Sequence, residues 1–156
     1  MIILFLETVK IGSGITSIAN NTFENCIGLK SVTVPKSVNS VGSYAFSGCT
    51  SLESFTLSNT GKTDIGEYAF YGCTKLNNVT IRSTEQVNIN EYAFSGCTSL
   101  EGFALKNGGR IEGYVFSGCE KLKAGTTYKF RLKAYKKVNG ETLWSAATPT
   151  VTVKTK

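Results

Sequence analysis

Apolar positions along the chain come in sets of three, and the sets recur. An aromatic ring, a cysteine and a leucine stand three residues apart in Phe23, Cys26 and Leu29, then in Phe46, Cys49 and Leu52, in Phe70, Cys73 and Leu76, in Phe94, Cys97 and Leu100, and in Phe116, Cys119 and Leu122. The cysteines follow one another at 23, 24, 24 and 22 residues. That period belongs to stacked solenoid coils. A spacing of three over so short a span predicts one turn of helix or 3₁₀ helix with its apolar side inward. Ahead of each cysteine stands Asn25, Gly48, Gly72, Gly96 or Gly118. These types accept positive φ, so the turn is expected to stop there.

After each leucine the pattern changes to alternation, as in "SVTV" (31–34), "SFTL" (54–57), "NVTI" (78–81) and "GFAL" (102–105). Period two with β-branched residues predicts short strands. A second inward point follows at Ile18, Val41, Ile65, Ile89 and Ile111. Each coil therefore reads as strand, turn, short extended piece and helical turn. Leu6, Val9, Ile11 and Ile15 fit the same template, so residues 1–122 read as one solenoid whose N-terminal coil is incomplete. The decapeptide "YAFSGCTSLE", present at 44–53 and again at 92–101, is then a core spacer.

The stretch "VPKSVNSVGSYAFSGCTSL" (34–52) carries an A-F-x-x-C-x-x-L core, a V-P step after the strand and a V-x-x-V-G step. This resembles the BspA-like leucine-rich repeats of large bacterial and protist surface proteins, over roughly residues 1–122. The resemblance implies a β-rich fold, a right-handed leucine-rich-repeat solenoid of about five 22–24-residue coils. Two departures stand out: the proline occurs only at Pro35, and the tips "SNTGKTDIG" and "RSTEQVNIN" carry one extra residue. Such insertions are expected at surface loops.

Beyond Leu122 the period fails. Alternating runs at 128–136 and 143–154 flank "NGE", a hairpin signal. Leu122, Gly125, Thr126 and Tyr128, with Trp144 and Ser145, resemble the last two strands of a fibronectin type III domain. A whole sandwich of that kind needs about 100 residues. Residues 123–156 are therefore expected to form a β-hairpin packed on the last coil as a cap.

Charge divides the chain at the same place. Residues 1–119 hold 8 basic and 9 acidic side chains, net −1, whereas 120–156 hold 9 basic and 2 acidic, net +7. Lys129, Arg131 and Lys133 alternate with apolar residues and form a cationic stripe, a candidate for an anionic ligand. A solvated face that discourages edge pairing explains the stripe more simply. Nucleic acid is not expected as a partner, because no reading motif or stacking platform accompanies the charge. No run approaches the ~20 apolar residues of a membrane span, and "MIILFL" lacks the features of a signal peptide. Ile2, Ile3, Leu4 and Phe5, at an uncovered coil, are expected to favour weak self-association.

Candidate chemistry is sparse. There is no histidine, which removes the usual general base and the commonest metal ligand. Asp64 is the only aspartate, and "GSG" at 12–14 lacks the spacing and lysine of a phosphate loop. Cysteines 22–24 residues apart do not resemble the close pairs that bind zinc. Stacking would place equivalent Cα atoms about 4.8 Å apart, within disulfide range, but it keeps the Cβ vectors parallel. Reduced cysteines acting as small buried hydrophobes fit better. No enzyme, metal or cofactor is expected.

What remains is surface. Ser31 and Thr33, Ser54 and Thr56, and Asn78 and Thr80 point outward from successive strands, flanked by Lys36, Arg82 and Lys106. Such a strip suits a protein or glycan partner at a cell surface or host matrix, met by many weak contacts. The family resemblances imply a non-catalytic protein-binding or adhesion module, extracellular or at the cell surface. The alternative they leave open is an accessory polysaccharide-binding or spacer module of a secreted carbohydrate-active enzyme.

Overall fold

The computed structural model of the chain describes residues 6–105, 109–122, 135–138 and 141–144, the last two stretches as strand backbone. Its repeating part is a parallel β-solenoid. The alternating segments form β1 (Thr8–Lys10), β3 (Ser31–Thr33), β5 (Ser54–Ser58), β7 (Asn78–Arg82) and β9 (Gly102–Leu105). The second inward points lie in β2 (Ser17–Ile18), β4 (Ser40–Val41), β6 (Thr63–Ile65), β8 (Val87–Ile89) and β10 (Gly109–Ile111). These last five pair in the order β10-β8-β6-β4-β2 as one parallel sheet. Five strands on each side mark five coils, and their four inter-coil steps make about four complete turns in the described solenoid.

The side bearing the longer strands is not one sheet. β1 pairs with β3, and β5, β7 and β9 form a separate three-stranded sheet. The expected continuous strand face is therefore interrupted between β3 and β5. At the C-terminal end, β11 (Tyr135–Val138) and β12 (Glu141–Trp144) pair antiparallel, with Tyr135 opposite Trp144 and Val138 opposite Glu141. They flank the "NG" pair at 139–140. The outer parts of the expected hairpin, its fibronectin-like corner and its packing on the last coil lie outside the described residues.

The expected helical turn does not form. In the second coil Ala45, Ser47 and Cys49 donate their N–H groups back three residues, to Gly42, Tyr44 and Phe46. Tyr44, Phe46 and Gly48 donate instead to Glu67, Ala69 and Tyr71 of the next coil, at 3.0, 2.8 and 2.8 Å. A helix needs every N–H within its own segment, and here every second one is spent on the neighbour. Left-handed residues bracket the segment, Tyr44 at φ 58° and Gly48 at φ 72°. The same two corners recur at Tyr68 and Gly72, Tyr92 and Gly96, and Tyr114 and Gly118, with Asn21 and Asn25 in the first coil. The corner before each cysteine follows the sequence expectation; the corner two residues before each phenylalanine does not, because tyrosine gives no sign of positive φ.

The phenylalanines stack along the axis. Ring centroids are 5.1 Å apart for Phe23 and Phe46, 5.1 Å for Phe46 and Phe70, 5.0 Å for Phe70 and Phe94, and 6.0 Å for Phe94 and Phe116. Phe55 and Phe103 tilt onto this ladder from the strand side. Cysteine and leucine ladders complete a core that is buried in every described coil. The result is a continuous column of apolar contacts in which each coil buries the next.

Candidate functional site

The five cysteines are free thiols and all are buried. They are more than fillers. Cys49, Cys73, Cys97 and Cys119 each donate Sγ–H to the carbonyl of the preceding coil's phenylalanine, Phe23, Phe46, Phe70 and Phe94, at 3.0 to 3.2 Å. Loss of hydration pushes the Cys49 thiol from 9.0 up to about 12, with the neighbouring Cys26 charge adding to the rise and its backbone hydrogen bond opposing it. Burial likewise raises Cys119 to about 11, and it raises Cys73 and Cys97 further. A nucleophilic or metal-binding cysteine needs the thiolate, so these thiols are poised against both roles. Among the described residues no group of three or more His, Cys, Asp or Glu side chains is placed to hold a metal ion.

The outward strand positions are where the alternation puts them. Ser31, Thr33, Ser54, Thr56 and Asn78 are exposed, and Thr80 is half-buried. Their strands fall into two sheets. Thr56 stands directly opposite Thr80, and Ser54 opposite Asn78, within one sheet. Thr33 pairs with Lys10 in the other sheet. The next partners, Gly102 and Ala104, offer no side-chain oxygen. The hydroxyl strip is thus a compact patch on β5 and β7, with Ser31 and Thr33 set apart from it. Lys106 and the stripe of Lys129, Arg131 and Lys133 lie outside the described residues, as do Ile2 to Phe5.

Lys36 and Arg82 come together at the coil tips, where they line a cleft of about 200 Å³ with Ser58, Asn59, Thr60, Ser83 and Thr84. Its floor is firmly built. Asn59, only 7% exposed, donates its amide to Val38 O at 3.2 Å and to Thr63 Oγ1 at 2.8 Å, and its Oδ1 accepts from Gly61 N at 3.2 Å. Ser83, 1% exposed, donates to Gly61 O, and Thr84 donates to Thr60 O, tying the fourth tip to the third.

Two further surfaces escaped the sequence reading. Tyr44, Tyr68, Tyr92 and Tyr114 stack at 5.0, 4.9 and 5.1 Å along one corner of the solenoid, and Tyr71 packs edge-on against Tyr68. Because each inner ring spends its faces on its neighbours, this corner shows mostly ring edges and hydroxyls to solvent. The Tyr68 phenol is held above its ordinary value by lost hydration first, then by Tyr92, Tyr44, Glu67 and Glu91. The second surface is the outer face of the five-stranded sheet. There Ser40 Oγ donates to Ser17 Oγ at 2.8 Å and Asn88 Nδ2 donates to Asp64 Oδ1 at 2.6 Å, so the polar row is bonded across two of its coil steps. The aligned column Ser17, Ser40, Asp64, Asn88 and Arg110 was the available signal for it.

Two polar strand faces, a tyrosine corner and a tip cleft around an apolar column define a repeat scaffold whose working parts are on its surface. The chain belongs to the BspA type leucine-rich repeat family, whose model matches six copies over residues 4–123. Among solved structures, a leucine-rich repeat protein from Bacteroides ovatus ATCC 8483 is similar at a TM-score of 0.64 and 36% identity. That match covers 75% of this chain and 30% of the other. A leucine-rich repeat protein of T. pallidum shares the fold at a TM-score of 0.50 and 23% identity, over 74% of this chain and 64% of its own. The chain thus spans less than a third of the Bacteroides ovatus protein. A comparison with curated proteins finds no match.

Proposed function

We propose that the chain is a protein-binding module of a surface or extracellular protein, acting in adhesion through the outward face of β5 and β7. One observation carries this reading: Ser54, Thr56 and Ser58 stand in register with Asn78, Thr80 and Arg82 on a flat parallel sheet whose other face is fully committed to the core. Rigid backing of that kind lets several weak contacts act together without a pocket. Each hydroxyl contact is worth about 1 kcal/mol net, so affinity rests on their number. Ser31 and Thr33, on the neighbouring sheet, extend the contact to the second coil. Membership of the leucine-rich repeat family supports an interaction role and an extracellular setting.

The test is binding to an immobilised matrix protein such as fibronectin. Replacing Thr33, Thr56 and Thr80 together with lysine should keep the far-ultraviolet circular dichroism spectrum, lower the unfolding midpoint only modestly through like charges set opposite one another at 56 and 80 and opposite Lys10 at 33, and abolish binding. Replacing Lys129, Arg131 and Lys133 with glutamine should matter little in ~0.15 M salt, where exposed charges are screened beyond about 8 Å. The reverse result would replace adhesion to protein by capture of an anionic polymer.

A further inference from the structure

We infer that the cleft at the coil tips is an anion site, shaped for a carboxylate side chain of a protein partner. Its origin is a mismatch between repeats. From the last inward strand residue to the next inward point, the second coil spends seven steps (Val34 to Val41), whereas the third and fourth spend eight (Leu57 to Ile65 and Ile81 to Ile89). A short tip beside two longer ones leaves a step in the surface, and the cleft of about 200 Å³ is that step.

The chemistry of the lining is one-sided. Lys36 comes from the short tip and Arg82 from the end of β7, with the hydroxyl residues Ser58, Thr60 and Thr84 between and beside them. Among the described residues no carboxylate lines the cleft, although the first 119 residues carry a net charge of −1. The four ion pairs among the described residues use Lys30, Lys62, Arg110 and Lys121, and leave Lys36 and Arg82 out. The two cations sit two coil steps apart, roughly 10 Å along the axis, a span that both long side chains can close onto one anion. Arginine brings a planar fork that fits a carboxylate, and lysine a compact point charge. The buried amide of Asn59 and the tie from Ser83 to Gly61 hold the walls in place, so binding need not order the site first. Among the described residues no aromatic ring lines the cleft to stack on a sugar, which favours an acidic peptide over an acidic glycan. The choice of a protein partner rests on the function proposed above; the anion site does not.

A labelled octaglutamate peptide tests this by fluorescence anisotropy on the whole chain. Lys129→Gln, Arg131→Gln and Lys133→Gln are carried in every sample to lower the net charge of residues 120–156 from +7 to +4, and the comparison is made between single variants on that background. Lys36→Gln and Arg82→Gln should each weaken binding about tenfold. Lys30→Gln and Lys62→Gln remove the same charge from paired, exposed sites and should stay within about twofold. Equal losses in all four variants, or no binding of either octaglutamate or polygalacturonate, would overturn the site. Binding of polygalacturonate that depends on Lys36 and Arg82, without octaglutamate binding, would overturn the peptide as its ligand. The threonine variants score the strand face separately, so either reading can fail alone.

Discussion

Phe70 is the residue on which the solenoid should depend most. It is fully buried in the third coil and stacks between Phe46 and Phe94 at 5.1 and 5.0 Å, with interplanar angles of 9° and 8°. Phe55 lies 4.6 Å away at a tilt of 59°. Truncation to alanine removes one buried ring and the contacts it makes with the coils on both sides. A buried Phe→Ala change costs about 3–5 kcal/mol, and rigid stacked coils leave little room for collapse into the cavity, so the upper half of that range is expected. Phe23, at the other end of the ladder, is half-buried and has a stacking partner on one side, Phe46 at 5.1 Å. Its alanine variant should cost about 1–2 kcal/mol. The assay is urea unfolding followed by far-ultraviolet circular dichroism. In a nearest-neighbour solenoid, loss of a central contact also uncouples the two halves, so the Phe70→Ala transition should broaden or split while that of Phe23→Ala stays sharp. Should Phe70→Ala prove too unstable to measure, Phe70→Leu, expected to cost about 1–1.5 kcal/mol, keeps the comparison open. Equal costs for Phe70→Ala and Phe23→Ala would show that the ladder is a row of independent contacts.

Other consequences follow from the cysteine ladder and the corners. Cys73→Ser should cost only about 1 kcal/mol, because Phe46 O, which accepts the thiol at 3.1 Å, can accept the new hydroxyl; a cost above about 3 kcal/mol would mean that the hydroxyl finds no partner. Thiol titration should find almost none of the five cysteines reactive in the native chain and all five in denaturant, and fewer than five there would contradict the free thiols. Raised folded values for Cys49 and Cys119 give stability that is complete below the unfolded value of 9.0 and is lost as pH rises through about 11 to about 12; an unchanged urea midpoint between neutral pH and that window would remove the basis for this. Gly66→Ala brings a Cβ within 2.4 Å of Ser43 N and 2.6 Å of Gly42 C, both backbone, and should lower the thermal midpoint as a change of about 2 kcal/mol does.

Much of the architecture was legible because the core repeats its letters. Phenylalanine, cysteine and leucine columns gave the stacking, and the alternating runs gave the strands of one side. The helical turn was misjudged for an identifiable reason. A spacing of three inside one coil is compatible with helix and with a chain of single turns, and what decides between them is whether the intervening N–H groups have somewhere better to go. Phe46 N finds Ala69 O at 2.8 Å, a partner 23 residues away that no local window contains. The tyrosine corner was hidden in a similar way. Asn21 occupies that column in the first coil and was the one residue there that signals positive φ; the tyrosines of the later coils gain stacking energy from one another that helps offset the cost of the conformation.

The candidate site was legible only in part because it depends on where the repeat breaks. Identical coils produce identical columns, and a column can be extended or interrupted but cannot enclose anything. A local cleft at the tips arises where neighbouring coils differ in length. The extra residue in "SNTGKTDIG" and "RSTEQVNIN" was visible in the sequence, yet its effect depended on the shorter tip of the preceding coil and on Asn59 turning inward to bond Val38 O across that boundary. The same reasoning separates the roles of the residues on the strand face. Thr56 and Thr80 face each other within one sheet, and Thr33 belongs to the sheet of β1 and β3, where the tip lengths differ. Conserved spacing therefore builds the rigid backing, and departures from it place Lys36 and Arg82 around a common opening. In a repeat protein, a change in coil length is the sequence feature that points to a site.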